Sequence, residues 1–376
     1  MKTDFLIVGA GLFGSVIAER LSSQLHKQVT IVEKRPFVGG NCHSRIDAET
    51  GIEIHRFGTH IFHTSSRRVM EYIGGFCELN GYHHQVLAMQ ANRVVQMPIN
   101  LETICSIYGR TLTPCEARRL IAEETARECI AAPANLEELA LATVGRKIYE
   151  ALIKGYSQKQ WGMSPRKLPV EILARIPVRY DYSEDYFHHA RWQGIPLGGY
   201  AELFARLLAN PLIRTCLERD YFLCRSEIEV TQATIYTGPI DRYFAYRHGH
   251  LDWRSLRFEF QHHDTGDYQG CAVMNCPDEE IPHTRVHEFR HLHPERTYRH
   301  DKTIIAFEYP TGALDEPYYP INDRENQERF ACYDRLTQSE ANVYFGGRLG
   351  SYKYLDMDQT ILAALDLFDA LKRHFV

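Results

Sequence analysis

The 376-residue sequence predicts an α/β multidomain fold, in which a parallel-sheet domain assembled from separated segments carries an inserted helical domain and an antiparallel β-sheet domain. Three observations predict it. The chain opens as strand, glycine-rich turn, helix and second strand. Residues 101–160 then read with helical periodicity. The stretch from 221 to 309 is rich in β-branched and aromatic residues broken by glycine and proline.

In the opening unit, Phe5-Leu6-Ile7-Val8 is an unbroken apolar run, as a strand buried on both faces should be. A helix is expected over 16–25 and a strand over 29–32, ending at Glu33. Between the first strand and the helix stand Gly9, Gly11 and Gly14 in G-x-G-x-x-G order. The first permits the tight turn, the second lets backbone approach a pyrophosphate, and the third lets helix and strand pack closely. The free N–H groups of the helix start then face the phosphates. Glu33, 22 residues after Gly11, is placed to accept hydrogen bonds from a ribose. The glycines alone are a weak signal. With both strands and Glu33 they specify a Rossmann-like dinucleotide-binding domain. Glu33-Lys34-Arg35 followed by Gly39-Gly40-Asn41 resembles the FAD domains of glutathione reductases and amine oxidases, and Gly346-Gly347-Arg348 fits their late return to the flavin.

The remaining elements divide the chain. Helices are expected over 116–124, 136–154, 198–208 and 357–375, and residues 161–177, with Gly162 and three prolines, form an extended surface loop. The expected FAD-binding domain comprises 1–80, 195–245 and 320–376. The helical domain comprises 100–180, with a mobile substrate loop at 162–177, and the sheet domain 81–99, 181–194 and 246–319.

Composition narrows the function. A net charge of −5 leaves no electrostatic footprint for nucleic acid. Ten cysteines without a CxxC pair read as free thiols of a reducing cytoplasm. The apolar run 6–18 is interrupted by three glycines and is too short to span a bilayer, so a soluble cytoplasmic protein without membrane attachment is expected. His283, His287, His291 and His293 would align three imidazoles if helical, but Thr284, Val286 and Phe289 suit a strand equally, and no metal is expected. The pairs His83-His84, His188-His189 and His262-His263 read as solvated surface.

Several ordered segments resemble the UDP-galactopyranose mutase family. They are Phe57-Gly58-Thr59-His60-Ile61-Phe62-His63-Thr64, residues 154–162 (KGYSQKQWG), 174–179 (ARIPVR), 238–241 (GPID), 316–320 (EPYYP) and 347–358 (GRLGSYKYLDMD). The resemblance implies a flavin-dependent nucleotide-sugar mutase that interconverts UDP-galactopyranose, or a close analogue, and UDP-galactofuranose. N5 of reduced FAD would displace the nucleoside diphosphate to form a covalent flavin–sugar adduct, with no net redox change. It further implies a homodimer serving polysaccharide synthesis, kept reduced by an external reductant such as NAD(P)H or a flavin reductase.

Carried over position by position, the catalytic residues are His63 and Arg348 at the flavin, and Arg175 and Arg285 on the diphosphate. Gly9, Gly11, Phe13, Gly14, Glu33, Lys34, Gly40, Asn41, His60, Arg348, Tyr354, Leu355, Asp356 and Met357 would hold the cofactor. Tyr156, Trp161, Arg175, Tyr186, Asn275, Arg285, Tyr319 and Tyr354 would hold the substrate. Loop 162–177 is a candidate lid that brings in Arg175. Two departures bear on the sugar: Thr59 stands where the family's galactose enzymes often carry proline, and 308–319 is a few residues shorter than usual. The sugar therefore stays open between galactose, N-acetylgalactosamine and a dTDP-linked fucose. A redox flavoprotein of the amine-oxidase type is the rival reading, and a flavin-free binding module on a related fold is a second.

Overall fold

The structure is a computed structural model that describes residues 1–172, 178–312 and 316–375. Its first element, β1 (Lys2–Val8), is central in a five-stranded parallel sheet. From edge to edge the order is Val343–Phe345, Glu229–Tyr236, β1, β2 (Val29–Val32) and Ile213–Cys216, every pair parallel. All four β2 residues are buried, which explains the unalternating apolar runs. Helix α1 (Leu12–Leu25) begins earlier than the expected residue 16, because Leu12 and Phe13 are buried on its first turn. It packs against the C-terminal helix Met357–Phe375, so first and last segments share one core.

The second sheet has seven strands, in the order Tyr319–Pro320, Trp253–His263, Thr303–Thr311, Arg285–Glu288, Val273–Asn275, Val86–Gln90 and Arg93–Met97. It is mixed and not wholly antiparallel as expected, because Val273–Asn275 runs parallel to Val86–Gln90. Those two strands are far apart in sequence, so no turn constrains their direction. The β-rich texture from 221 onward also misleads at its start. Residues 221–224 are helical, and Glu229–Tyr236 belongs to the parallel sheet.

Between the sheets in sequence lie helices Leu101–Tyr108, Pro114–Arg127 and Leu136–Ile148. The first two start in reciprocal caps, Asn100 with Thr103 and Thr113 with Glu116. The expected helix over 136–154 ends as α-helix at Ile148 and continues as one π-helical stretch, Tyr149–Lys154, before Gly155–Trp161. The described part of loop 162–177 holds two short 3₁₀ turns, Pro165–Lys167 and Val170–Ile172. Residues 173–177, Arg175 among them, lie outside the described residues. A helix that periodicity did not announce, Arg324–Thr337, buries only Asn326 and Tyr333.

The histidine-rich segment is no helix. Arg285–Glu288 is a strand, followed by a 3₁₀ turn at Phe289–Leu292. His287, His291 and His293 therefore take separate acceptors: Glu308, Asp267 and Glu295 respectively. His84 is also not surface. It is buried, and burial pushes its imidazole down to about 3. No helix among the described residues is long and apolar enough to cross a membrane.

Candidate active site

A cavity of about 940 Å³ opens at the carboxyl ends of the parallel strands, where open α/β sheets bind ligands. Of the expected cofactor residues, Gly9, Gly11, Phe13, Gly14, Glu33, Lys34, Gly40, Asn41, His60, Arg348, Leu355 and Met357 line it. Tyr354 and Asp356 flank Leu355 in the chain but stand outside this lining.

The glycines have different reasons. Gly9 has φ +106°, and a Cβ there would come within 2.2 Å of Thr237 Oγ1. A Cβ on Gly14 would lie 2.2 Å from the Gly9 carbonyl oxygen. Gly11 differs, since the nearest atom to its Cβ position is Gly40 Cα at 3.9 Å. The protein leaves that space open in front of α1, whose start has no side-chain cap. A pyrophosphate suits those free amides. Gly39 and Gly40 are required by the protein itself, since their Cβ positions meet Phe204 at 3.1 Å and Gly11 Cα at 3.0 Å. Glu33 already accepts from the N–H groups of Ala10 and Arg35, both at 2.9 Å. Each oxygen keeps a second lone pair for a further donor.

Arg348 donates to the carbonyls of Tyr318 at 3.1 Å and Leu355 at 2.8 Å. Its guanidinium lies 4.9 Å from the Tyr354 ring centroid and 5.9 Å from that of Tyr319. Burial pushes the His60 imidazole down to about 4, so this cavity residue is neutral at pH 7. His63 stands outside the lining. It sits on the strand Phe62–Thr64, its ring stacked on Phe187 at 3.8 Å. Burial holds its pKa down, against Asp356 and Asp358, which pull it up.

Beside the cavity, the mixed sheet gathers the substrate candidates. Asn275 is directly opposite Arg285, and Arg285 opposite Glu308, so three strands place these side chains on one rung. Arg285 Nη1 is 3.6 Å from Glu308 Oε2, and its guanidinium lies 5.6 Å from the Tyr156 ring centroid. Tyr156, Tyr186 and Tyr319 are all close enough to interact electrostatically with Arg285. Tyr319 stacks on Tyr354 at 5.7 Å, which links this cluster to Arg348. Among the described residues, Tyr156 Oη and Asn275 Oδ1 are buried without a hydrogen-bond partner. Such atoms are expected where a ligand supplies the missing contact. Trp161 ends the helix Gly155–Trp161 and is packed against the main core.

Sequence reasoning assigned no role to two residues that build this cluster. Glu308 is 2% exposed. Burial pushes its carboxyl up, but Arg285 first, then bonds from His287 and Thr284, hold it down at about 2. Its position in an apolar strand, Thr303–Thr311, was the available signal. Lys159 Nζ donates to the carbonyls of Cys276, Asp278, Ile281 and His283 at 2.6, 2.7, 2.8 and 3.2 Å. That loop joins the strand of Asn275 to the strand of Arg285, so Lys159 ties both to the helix bearing Tyr156. The helix lies close, since a Cβ on Gly155 would fall 2.3 Å from the Pro277 carbonyl oxygen. Lys159→Met keeps the stem and removes the donors. It is expected to raise KM about tenfold or more, and to expose the 276–283 loop to protease, while flavin content is unchanged. An unaltered KM would remove Lys159 from substrate positioning.

A family profile described as UDP-galactopyranose mutase matches residues 151–354, and one described as an NAD(P)-binding Rossmann-like domain matches 7–76. The chain is 39% identical over 366 residues to a Klebsiella pneumoniae protein named "Probable UDP-galactopyranose mutase", covering 97% of this chain and 94% of that protein. It is 36% identical over 365 residues to a dTDP-fucopyranose mutase of Escherichia coli, covering 96% of each. It is 33% identical over 383 residues to a UDP-galactopyranose mutase of Mycoplasma genitalium, covering 96% and 93%. Among solved structures, a reduced UDP-galactopyranose mutase superposes with a TM-score of 0.70 at 15% identity, covering 100% of this chain and 94% of the other. At that identity the likeness speaks for the fold alone, as does a putrescine oxidase with a TM-score of 0.57 at 10% identity, covering 99% of both. The chain therefore belongs to the UDP-galactopyranose mutase family, and with it to the isomerases.

Proposed function

We propose that this protein interconverts the pyranose and furanose forms of a UDP-linked galactose or close analogue, with FAD as cofactor. The carrying observation is the adjacency of two features. A dinucleotide-sized cavity fronts an uncapped helix start, and beside it an arginine is surrounded by tyrosines, with Tyr156 Oη and the neighbouring Asn275 Oδ1 buried and unsatisfied. FAD, when bound and fully reduced, supplies the nucleophile for the anomeric carbon of the sugar.

The chain's own groups do the rest. Arg285 offers a forked donor to the diphosphate, and Arg175, from loop 162–177, is its counterpart in this reading. Burial raises the pKa of Tyr156 and of Tyr319, so both hydroxyls stay protonated and donate to phosphate oxygens without adding charge. In the same reading Tyr186, Trp161 and Tyr354 contact the substrate, and Asn275 meets the nucleotide ribose. Arg348 places a fixed positive charge near the flavin, which favours its anionic reduced form. His60 supports the cofactor as a neutral imidazole, and His63 acts from behind through its stack on Phe187.

The protein, reduced with dithionite and given UDP-galactofuranose, is expected to yield UDP-galactopyranose with no oxygen consumed. A requirement for oxidised flavin would sink the proposal in favour of a redox enzyme. Because one relative is named a dTDP-fucopyranose mutase, the assay includes dTDP-fucose and UDP-N-acetylgalactosamine, and the highest kcat/KM assigns the sugar. A cytoplasmic homodimer re-reduced by NAD(P)H or a flavin reductase completes this reading.

A further inference from the structure

We propose that Arg179 is a positioning residue for the substrate, because its guanidinium clamps the turn that presents Tyr186 to Arg285. The identity of the ligand rests on the mutase reading. The clamp stands on the contacts themselves.

Tyr186 belongs to a stretch with little regular structure of its own. Residues 182–185 form neither helix nor strand, and 186–189 form a turn. Such a segment keeps one shape only where other groups hold it. Arg179 is buried, and its backbone N–H donates to the Ile99 carbonyl at 2.9 Å, which ties it to the chain just before the helix Leu101–Tyr108. Nη1 donates to the Ser183 carbonyl at 3.2 Å, to Ser183 Oγ at 3.3 Å and to the Asp185 carbonyl at 2.7 Å. Nη2 donates to His188 Nδ1 at 2.5 Å, since a guanidinium has nothing to accept with. These partners flank Tyr186 and Phe187 on both sides in sequence, so one planar cation fixes both ends of the turn.

What the turn holds belongs to the candidate site. Tyr186 is close enough to interact electrostatically with Arg285 and with Tyr156, and Phe187 stacks on His63 at 3.8 Å. Other bonds support the middle of the turn. The Tyr186 N–H donates to the His84 carbonyl at 2.9 Å, and Asp185 Oδ1 accepts from the Phe187 N–H at 3.0 Å and from Gln193 Nε2 at 2.9 Å. Asn100 Nδ2 shares the Ser183 carbonyl at 3.3 Å. Arg179 is the group that joins Ser183, Asp185 and His188 to one centre. Without it the ends of the turn come free, and the Tyr186 hydroxyl loses its fixed place beside Arg285. Among the described residues, none from 179 to 188 lines the cofactor cavity, so the loss falls on substrate binding and leaves the flavin in place.

The test is calorimetric binding of UDP to the full-length, flavin-loaded protein, with flavin content and turnover measured beside it. Arg179→Met keeps the stem and removes the donors. It is expected to weaken UDP about tenfold with flavin content unchanged. In turnover, KM should rise by a similar factor while kcat holds within about twofold, the pattern of lost uniform binding. Tyr186→Phe should weaken UDP to a similar extent. Because Arg179 acts through Tyr186, the double variant should be about tenfold weaker than the unsubstituted protein, and not about a hundredfold. Should Arg179→Met fail to fold, Ser183→Ala/His188→Ala removes two acceptors at exposed positions and should weaken UDP without adding to Tyr186→Phe. Full UDP affinity in folded Arg179→Met, a fall in kcat with KM unchanged, or additive losses in the double variant would each overturn the assignment. An unsubstituted protein that does not bind UDP counts against the mutase reading instead. Amide hydrogen exchange at 183–188 then decides the clamp: Arg179→Met should speed it, and unchanged exchange would overturn the proposal.

Discussion

Arg285→Ala is expected to lower kcat/KM about a thousandfold, with flavin still bound. Two losses combine. On the proposed function the diphosphate loses a charge-assisted forked donor, and Glu308 loses the cation that compensates a carboxylate only 2% exposed. The double variant Arg285→Ala/Glu308→Gln separates them. It should recover much of the thermal stability and none of the turnover. The pH dependence should also weaken. In the unsubstituted protein the Glu308 carboxyl sits at about 2 against an ordinary 4.5, so its contribution is full above 4.5 and is lost as pH falls toward 2. Without Arg285, only the bonds from His287 and Thr284 oppose burial, so the carboxyl is held down less and this acid-side contribution shrinks. Near-normal kcat/KM in Arg285→Ala would remove the residue from the active site.

The second large effect divides glycines that sequence treats alike. Gly14→Ala is expected to leave little folded protein, because its Cβ would meet the Gly9 carbonyl oxygen at 2.2 Å and Ile7 Cγ2 at 3.0 Å. Gly11→Val should fold, with a Tm near that of the flavin-stripped protein, and purify colourless. Its φ is −75°, and no protein atom lies closer to its Cβ position than 3.9 Å. The added Cβ enters the open space before the helix start. Retention of the yellow flavin absorbance by Gly11→Val would refute pyrophosphate binding at that turn.

Motif and position brought most of the expected cofactor residues to one cavity. Twelve of them line it because they sit at strand ends and turns whose geometry the local chain dictates. His63 shows the limit. It lies three residues from His60 in one motif, yet strand pairing with Trp192–Gly194 turns it onto Phe187 and leaves the cavity wall to His60. The helix Arg324–Thr337 went unread because, with two buried residues, it carries little apolar periodicity. The sheet's single parallel pairing was invisible because neither strand is linked to the other by a turn.

Local covalent and steric rules were enough, in this chain, for the βαβ opening, the glycine turn, the caps of the inserted helices and the C-terminal helix. Each depends on residues within a few positions of one another. The candidate substrate cluster was decided otherwise. Asn275, Arg285 and Glu308 share a rung only through pairing of three strands, and Lys159 bonds the loop joining the first two from more than a hundred residues away. Hydrogen-bond register and buried charge compensation act through space, so only the folded chain could bring those groups together.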